Sequence, residues 1–221
     1  MQKNKSPILS RVFKLILLIA SVTLITVVLQ IIGVPKWITI FIILMLYILV
    51  MVIRPIYIIY RSKSLRTIDR YISNNHQKPI FGYAYAMAHG SKEDIEQTLK
   101  RIMNTYTQQD MRDIYGANLA LFQRNPSTLL AHAKKITGQE YQDYYSGHAY
   151  VMNNNFDAAS ESLAKLHTPW MVHSLKAYAA LKRGNQDDYR SEMNQSINSA
   201  VGMQRYILHH IMRRHDNGDF T

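Results

Sequence analysis

The chain has 221 residues, of which 26 are basic and 15 acidic, for a formal net charge of +11, and it has no cysteine. The lack of Cys excludes disulfides and thiol chemistry and removes the usual ligands of a structural zinc site. The charge is unevenly spread: residues 1–68 hold nine Lys or Arg and no Asp or Glu, whereas residues 69–221 hold seventeen basic and fifteen acidic residues. A cationic segment beside apolar sequence suits anionic lipid headgroups, and a nearly balanced remainder offers no footprint for nucleic acid.

Residues 1–11 read as a basic N-terminus. Leu15 to Val34 is a run of twenty residues without a charge, and at about 1.5 Å per residue it covers the roughly 30 Å of a hydrocarbon core. Pro35 and Lys36 break it. Trp37 to Ile53 is a second uncharged run of seventeen residues, and apolar character continues past Arg54 to Tyr60. The pattern predicts a two-helix transmembrane hairpin over 12–60, with spans over about 12–34 and 37–59. A cleaved signal peptide fits poorly, because the run is too long and no small-x-small site follows it.

The candidate membrane-interface residues are Arg11, Lys14, Trp37, Arg54, Tyr57, Tyr60, Arg61, Lys63 and Arg66. Long cationic stems snorkel to headgroups, and Trp and Tyr rings settle at the same level. Lys3, Lys5, Arg11 and Lys14 precede the first span. Arg61, Lys63, Arg66 and Arg70 follow the second, and the turn holds only Lys36. The positive-inside rule then predicts a multi-pass plasma-membrane protein with both termini cytoplasmic.

Residues 61–75 are expected to be a basic juxtamembrane linker, in which the second span runs on and becomes amphipathic. Beyond it, residues 76–214 show helical patterns only, interrupted at Gly90-Ser91, Arg124-Asn125-Pro126, Asn154-Asn155 and Gly184-Asn185. The spacings are 34, 30 and 30 residues, a period that signals stacked helical hairpins. Small residues (Ala117, Gly147, Ala177) stand seven before three of the breaks. Apolar or aromatic ones (Ile95, Leu129, Ala159, Tyr189) stand five after each, followed four further on by Leu99, Ala133, Leu163 and Met193. The final helix is expected over about Ser196–Arg214, with a flexible tail at 215–221.

The unit Gly147-His148-Ala149-Tyr150, Asn154-Asn155-Phe156-Asp157-Ala158-Ala159, Leu163 resembles the tetratricopeptide repeat (TPR). The resemblance implies a TPR-like α-solenoid, so that with the hairpin read above the expected fold is all-α: an N-terminal two-helix transmembrane hairpin followed by a TPR-like α-solenoid in the cytoplasm. In that family the first helices line a concave groove. Carried onto the two clearest units, this puts Tyr141, Tyr144, His148, Met171, Ser174 and Tyr178 on a partner-binding face. Tyr and Met bury area at modest ordering cost. The overall layout is similar to that of small membrane factors of Gram-positive bacteria, staphylococcal ones among them, that support lipoteichoic acid and β-lactam tolerance.

No phosphate-binding glycine loop, His-Glu-x-x-His or Gly-x-Ser-x-Gly occurs. His209-His210 and His215 are the one histidine cluster, and adjacent histidines on a helix diverge by about 100°, so no metal and no cofactor is expected. The function expected is therefore non-enzymatic: a membrane-anchored adaptor or scaffold for membrane or membrane-proximal proteins, with anionic headgroups as the other partner and no nucleic acid. A regulatory subunit of a secretion or transport complex, or a membrane enzyme with an unrecognised site, are the alternatives.

Overall fold

The structure, a computed structural model, describes the backbone of residues 7–219 and the side chains of Ile16 and of residues 20–219. Every regular element among the described residues is helical. The chain divides into two compact units, Met1–Ile56 and Tyr57–Thr221.

In the first unit, α1 (Pro7–Ile31) packs against α2 (Lys36–Ile48). The turn between them is held by Gln30, whose Nε2 donates to Thr39 Oγ1 at 3.1 Å and to the Val34 carbonyl at 3.3 Å. Thr39 is buried, whereas Phe41, Leu44, Met45 and their neighbours are exposed. A π-helical turn (Leu49–Ile53) follows, and α3 (Arg54–Tyr60) completes one continuous helix. The wide turn has a local cause. Pro55 has no N–H to donate, and Arg54 N–H bonds to the Leu49 carbonyl, five residues back. Among the described residues one helix, Lys36–Tyr60, is long and apolar enough to cross a membrane; Ala20–Ile31 is a shorter apolar helix.

In the second unit the last turn of α3 is followed by α4 (Leu65–Asn75), α5 (Pro79–His89), α6 (Lys92–Thr105), α7 (Gln109–Phe122), α8 (Pro126–Ala133), α9 (Gln139–Met152), α10 (Phe156–Leu163), α11 (Pro169–Lys182), α12 (Gln186–Ser199) and α13 (Gly202–Asp216). Residues 61–75 do not continue the apolar helix. The chain breaks after Tyr60, and α4 starts afresh with Ser64 Oγ accepting from Thr67 N–H. Ile68 and Ile72 of α4 are fully buried, because a four-residue spacing puts both on one helical face. This stretch is a core helix rather than a linker.

The 30-residue period has a backbone origin. Arg124, Asn154 and Gly184 adopt the left-handed conformation, with φ of 55°, 58° and 79°. Asn125, Asn155 and Asn185, each the next residue, donate their N–H to the carbonyls of Ala120, Tyr150 and Ala180, closing the preceding helix. The same three side chains accept from the N–H groups of Thr128, Ala158 and Asp188 at 3.1 Å, opening the next helix. Two helix ends are thus satisfied within a few residues, at about 1 kcal/mol per cap. Gly90 is different: its φ is −90°, and Ser91 and Asp94 form a reciprocal capping box instead. The first spacing is longer because α6 has 14 residues where α8 and α10 have 8.

The helices α9 and α11 lack a side-chain cap of their own. A carboxylate from the preceding unit serves their approaches. Asp110 accepts from Thr137 N–H at 2.9 Å and from its hydroxyl. Thirty residues on, Glu140 accepts from His167 and Thr168 N–H at 2.7 and 2.6 Å, and from the Thr168 hydroxyl at 2.8 Å. These bonds hold both carboxyls below their ordinary range; in Glu140 the Thr168 N–H has the largest effect.

The expected final helix over Ser196–Arg214 is two helices. Ala200 and Val201 are extended, and α13 begins at Gly202 with φ of +57°. Gly202 N–H donates to the Ser62 carbonyl at 2.7 Å, and a Cβ there would overlap the Ile59 carbonyl. From that point α13 packs on α4 and α5 as well as α12, so the last helix returns to the first. Of the expected tail, His215 and Asp216 belong to α13, and Asp219 N–H bonds the Arg214 carbonyl at 2.9 Å.

Candidate functional site

The six residues assigned to a partner groove are brought together on α9 and α11, but mostly inside the molecule. Tyr144, His148, Met171 and Ser174 are buried, Tyr178 is half-buried, and Tyr141 is 39% exposed. Tyr144 hydroxyl and Ser174 Oγ share a hydrogen bond of 3.0 Å. The His148 ring meets those of Tyr144 and Tyr178 at 4.6 and 5.1 Å, and Trp170 lies against Tyr144. The helices come this close because Gly147 has no side chain; a Cβ there would meet Leu175 and Ser162. An open groove over Tyr144, His148, Met171 and Ser174 is therefore corrected to an interior seam. Only Tyr141 and Tyr178 keep surface for a partner.

Burial sets the chemistry of this seam. It pushes the Tyr144 phenol up to about 12 and the His148 imidazole down to about 3. Neither His148 nitrogen has a hydrogen-bond partner. A neutral, unpartnered imidazole between two phenol rings is a packing element, and an unmade bond of this kind costs about 1–3 kcal/mol.

A second cluster, where α13 meets α4 and α5, was not foreseen from the sequence pattern. Tyr206 hydroxyl donates to Asp69 Oδ1 at 2.6 Å, and His89 Nε2 lies 3.0 Å from the same oxygen. Burial would raise the Asp69 carboxyl, but the bonds from Tyr206 and His89 outweigh it and hold it low. Burial lowers His210 to about 4, with His209 and Arg213 acting in the same direction. Arg214, also buried, donates to the Met87 and Ala86 carbonyls at 2.6 and 3.0 Å and to that of Gly90. It thereby serves the carbonyls at the open end of α5, that of Ala86 also accepting from the Gly90 N–H. Tyr206, His210 and Arg214 share one face of α13 at a four-residue spacing, but their partners on α4 and α5 lie more than a hundred positions away.

Among the expected interface residues, Trp37, Arg54, Tyr57, Tyr60, Arg61, Lys63 and Arg66 are all exposed. The side chains of Arg11 and Lys14 lie outside the described residues. The His–carboxylate pairs Asp113–His132 (2.9 Å) and His173–Glu192 (2.7 Å) join the two helices of a hairpin. No three His, Asp or Glu side chains among the described residues are grouped to hold a metal ion. A shallow apolar groove on α2 (Phe41, Met45, Leu49) and a dip on α6 (Lys92, Glu96, Lys100) present no nucleophile beside a base.

No family model, curated protein or solved structure matches the chain.

Proposed function

We propose that the protein is a non-enzymatic adaptor anchored in the plasma membrane, with a TPR-like helical-repeat domain that engages a membrane or membrane-proximal protein. The observation that carries this reading is the helix Lys36–Tyr60, whose large apolar side chains are exposed along its length and whose last turn belongs to the repeat unit. Exposed apolar surface of that extent is unfavourable in water at about 25 cal/mol per Å², and lipid removes the cost. The hairpin reading is supported by the polar clamp from Gln30 to Thr39, which ties α1 to α2 at the turn.

The orientation proposed, with both termini in the cytoplasm and the few turn residues outside, is supported by the basic residues on either side. The repeat reading is supported by the 30-residue register of left-handed turn residues and Asn caps. Confinement to the bilayer raises effective concentration for partners in the same membrane. Tyr178, half-buried against the His148 ring, is the groove residue proposed for protein contact. The process served is proposed to be cell-envelope upkeep, lipoteichoic acid included, and deleting the gene while leaving envelope polymers and β-lactam tolerance unchanged would remove that assignment.

The test of topology uses the natural absence of cysteine. Single variants Lys36→Cys and Ser91→Cys are treated in intact cells with a membrane-impermeant maleimide. Labelling at 36 alone is expected; labelling at 91 before permeabilisation overturns the orientation. Crosslinking in native membranes should then recover a defined membrane protein, and recovery of the monomer alone would refute the adaptor role.

A further inference from the structure

The last helix is fastened to the start of the repeat unit through groups that answer to acid. Tyr206 and Ile207 of α13 share one buried cluster with Ile68 and Ile72 of α4 and Met87 of α5. Beside this apolar contact lies a polar one. Asp69 of α4 accepts from the Tyr206 hydroxyl at 2.6 Å, and His89 of α5 lies 3.0 Å from the same oxygen. One turn beyond Tyr206 the His210 side chain is buried among other rings. Tyr206 lies at 4.4 Å, His209 at 5.1 Å and His89 at 6.2 Å. Burial and nearby charge act on this imidazole, and among the described residues no hydrogen bond does.

The groups facing His210 come from each element around it. On α13 they are His209 and Arg213, with Arg214 one turn on, where it pairs with Asp219 at 3.6 Å. Next, α5 brings His89 and, against it, Tyr85, and α4 brings Asp69, while Arg66 and Arg70 of α4 are exposed. From α12, Tyr189 and Arg190 meet α13 further along, at His215 and Asp216, and Glu192 is taken by His173. Before α4, the exposed Arg61 and Lys63 flank Ser62, which holds the start of α13 two turns earlier. Asp69 is thus the carboxylate that three imidazoles share, and one of its oxygens already serves two of the neighbouring groups. A proton added to His210 gains no acceptor and meets like charge, in a setting where burial strengthens the repulsion.

We propose that α13 is an acid-released clasp: protonation of His210 lifts the helix from α4 and α5 and uncovers the apolar face that carries Ile68, Ile72 and Met87. The pivot is Gly202, docked on Ser62, with Ala200 and Val201 extended before it. The proposal is independent of the membrane anchor.

In the closed form burial holds the His210 imidazole down to about 4, with His209 and Arg213 adding to the effect. In the released form it returns to an ordinary value of about 6.5. The open form then binds the proton more tightly, so falling pH favours opening. Between pH 7 and pH 5 one such proton raises the opening constant about twentyfold.

Hydrogen exchange on the full chain in detergent at these two pH values, corrected for the intrinsic change in exchange rate, reads that opening. Protection over 206–216 is expected to fall about twentyfold, and by more than in α6. His210→Phe and His210→Gln, neither of which takes up the proton, should abolish the fall. His148→Phe should leave it in place, because that ring sits in the seam between α9 and α11. A fall that persists in both His210 variants overturns the proposal. So does a fall that disappears in His148→Phe, since α13 would then exchange by unfolding of the whole unit. Full protection of α13 at pH 5 in the unaltered chain overturns it without any variant.

Discussion

Replacing Gly202 with Ala should loosen the last helix far more than the same change at Gly184. Both glycines have positive φ, +57° and +79°. An L-residue in that region costs about 1–2 kcal/mol, so both variants carry this penalty. At Gly184 nothing lies near the new Cβ, and the backbone cost is the whole effect. At Gly202 the Cβ overlaps the Ile59 carbonyl and approaches Tyr60 N, which are main-chain atoms and cannot rotate away.

The start of α13 must then withdraw from 59–62, losing the Gly202-to-Ser62 hydrogen bond of 2.7 Å, worth about 0.5–1.5 kcal/mol. It also loses part of the burial of Ile58, for about another 1 kcal/mol. The sum is roughly 2.5–4.5 kcal/mol for G202A against about 1–2 for G184A. For a unit of this size each kcal/mol moves the midpoint by about 2–4 °C. Thermal unfolding of the purified chain in detergent should fall by about 5–18 °C for G202A and about 2–8 °C for G184A. Amide exchange should quicken in α13 and α4 for G202A and around 184 for G184A. Equal shifts, or unchanged protection in α13, would refute the docking of the last helix on the exit of α3.

Acid should destabilise the repeat unit through its buried imidazoles. His148 and His210 are lowered to about 3 and about 4 in the folded chain, the first by burial and the second by burial and neighbouring positive charge. The unfolded chain therefore binds the extra protons first. Their contribution is full above about pH 6.5 and declines as pH falls from there towards those values, by up to about 1.4 kcal/mol per pH unit for the fully buried His148. His148→Phe should flatten that decline in denaturant melts taken at descending pH, and an unchanged slope would contradict it. Glu140→Ala removes an acceptor of three bonds and should cost about 1–3 kcal/mol, against little for the exposed Glu161→Ala; equal midpoints would sink the idea of a carboxylate serving the next helix. Tyr144→Phe and Ser174→Ala should be non-additive by about 0.5–1 kcal/mol in a double-mutant cycle, and simple additivity would mean the bond is not made. Changing both Tyr144 and His148 to Ala should weaken the fold by several kcal/mol, so loss of a partner in that variant would not report a surface.

Helical class and repeat period were legible because both are written in local chemistry. At three of the four breaks the following Asn, the small residue seven before it and the buried positions Leu129, Ala159 and Tyr189 recur at fixed offsets, and each acts within a turn or two of itself. The apolar helix from Lys36 to Tyr60 was legible for the same reason, since twenty-five residues in one helix need no distant partner to be apolar. Tyr144 and His148, four residues apart on α9, share one helical face by the same local geometry.

Whether that face meets solvent is a different matter. It depends on how closely α9 and α11 approach, and that was decided by Gly147 beside Leu175. The placement of α13 was likewise beyond periodicity. Asp69 finds Tyr206, and Arg214 finds the end of α5, across separations of 137 and more than 120 residues. A one-dimensional pattern specifies which side chains share a helix face, because that angle is fixed by the helix itself. Which faces become interior is set by the packing of separate helices, where long-range contacts compete, and the chain resolves that competition only when folded.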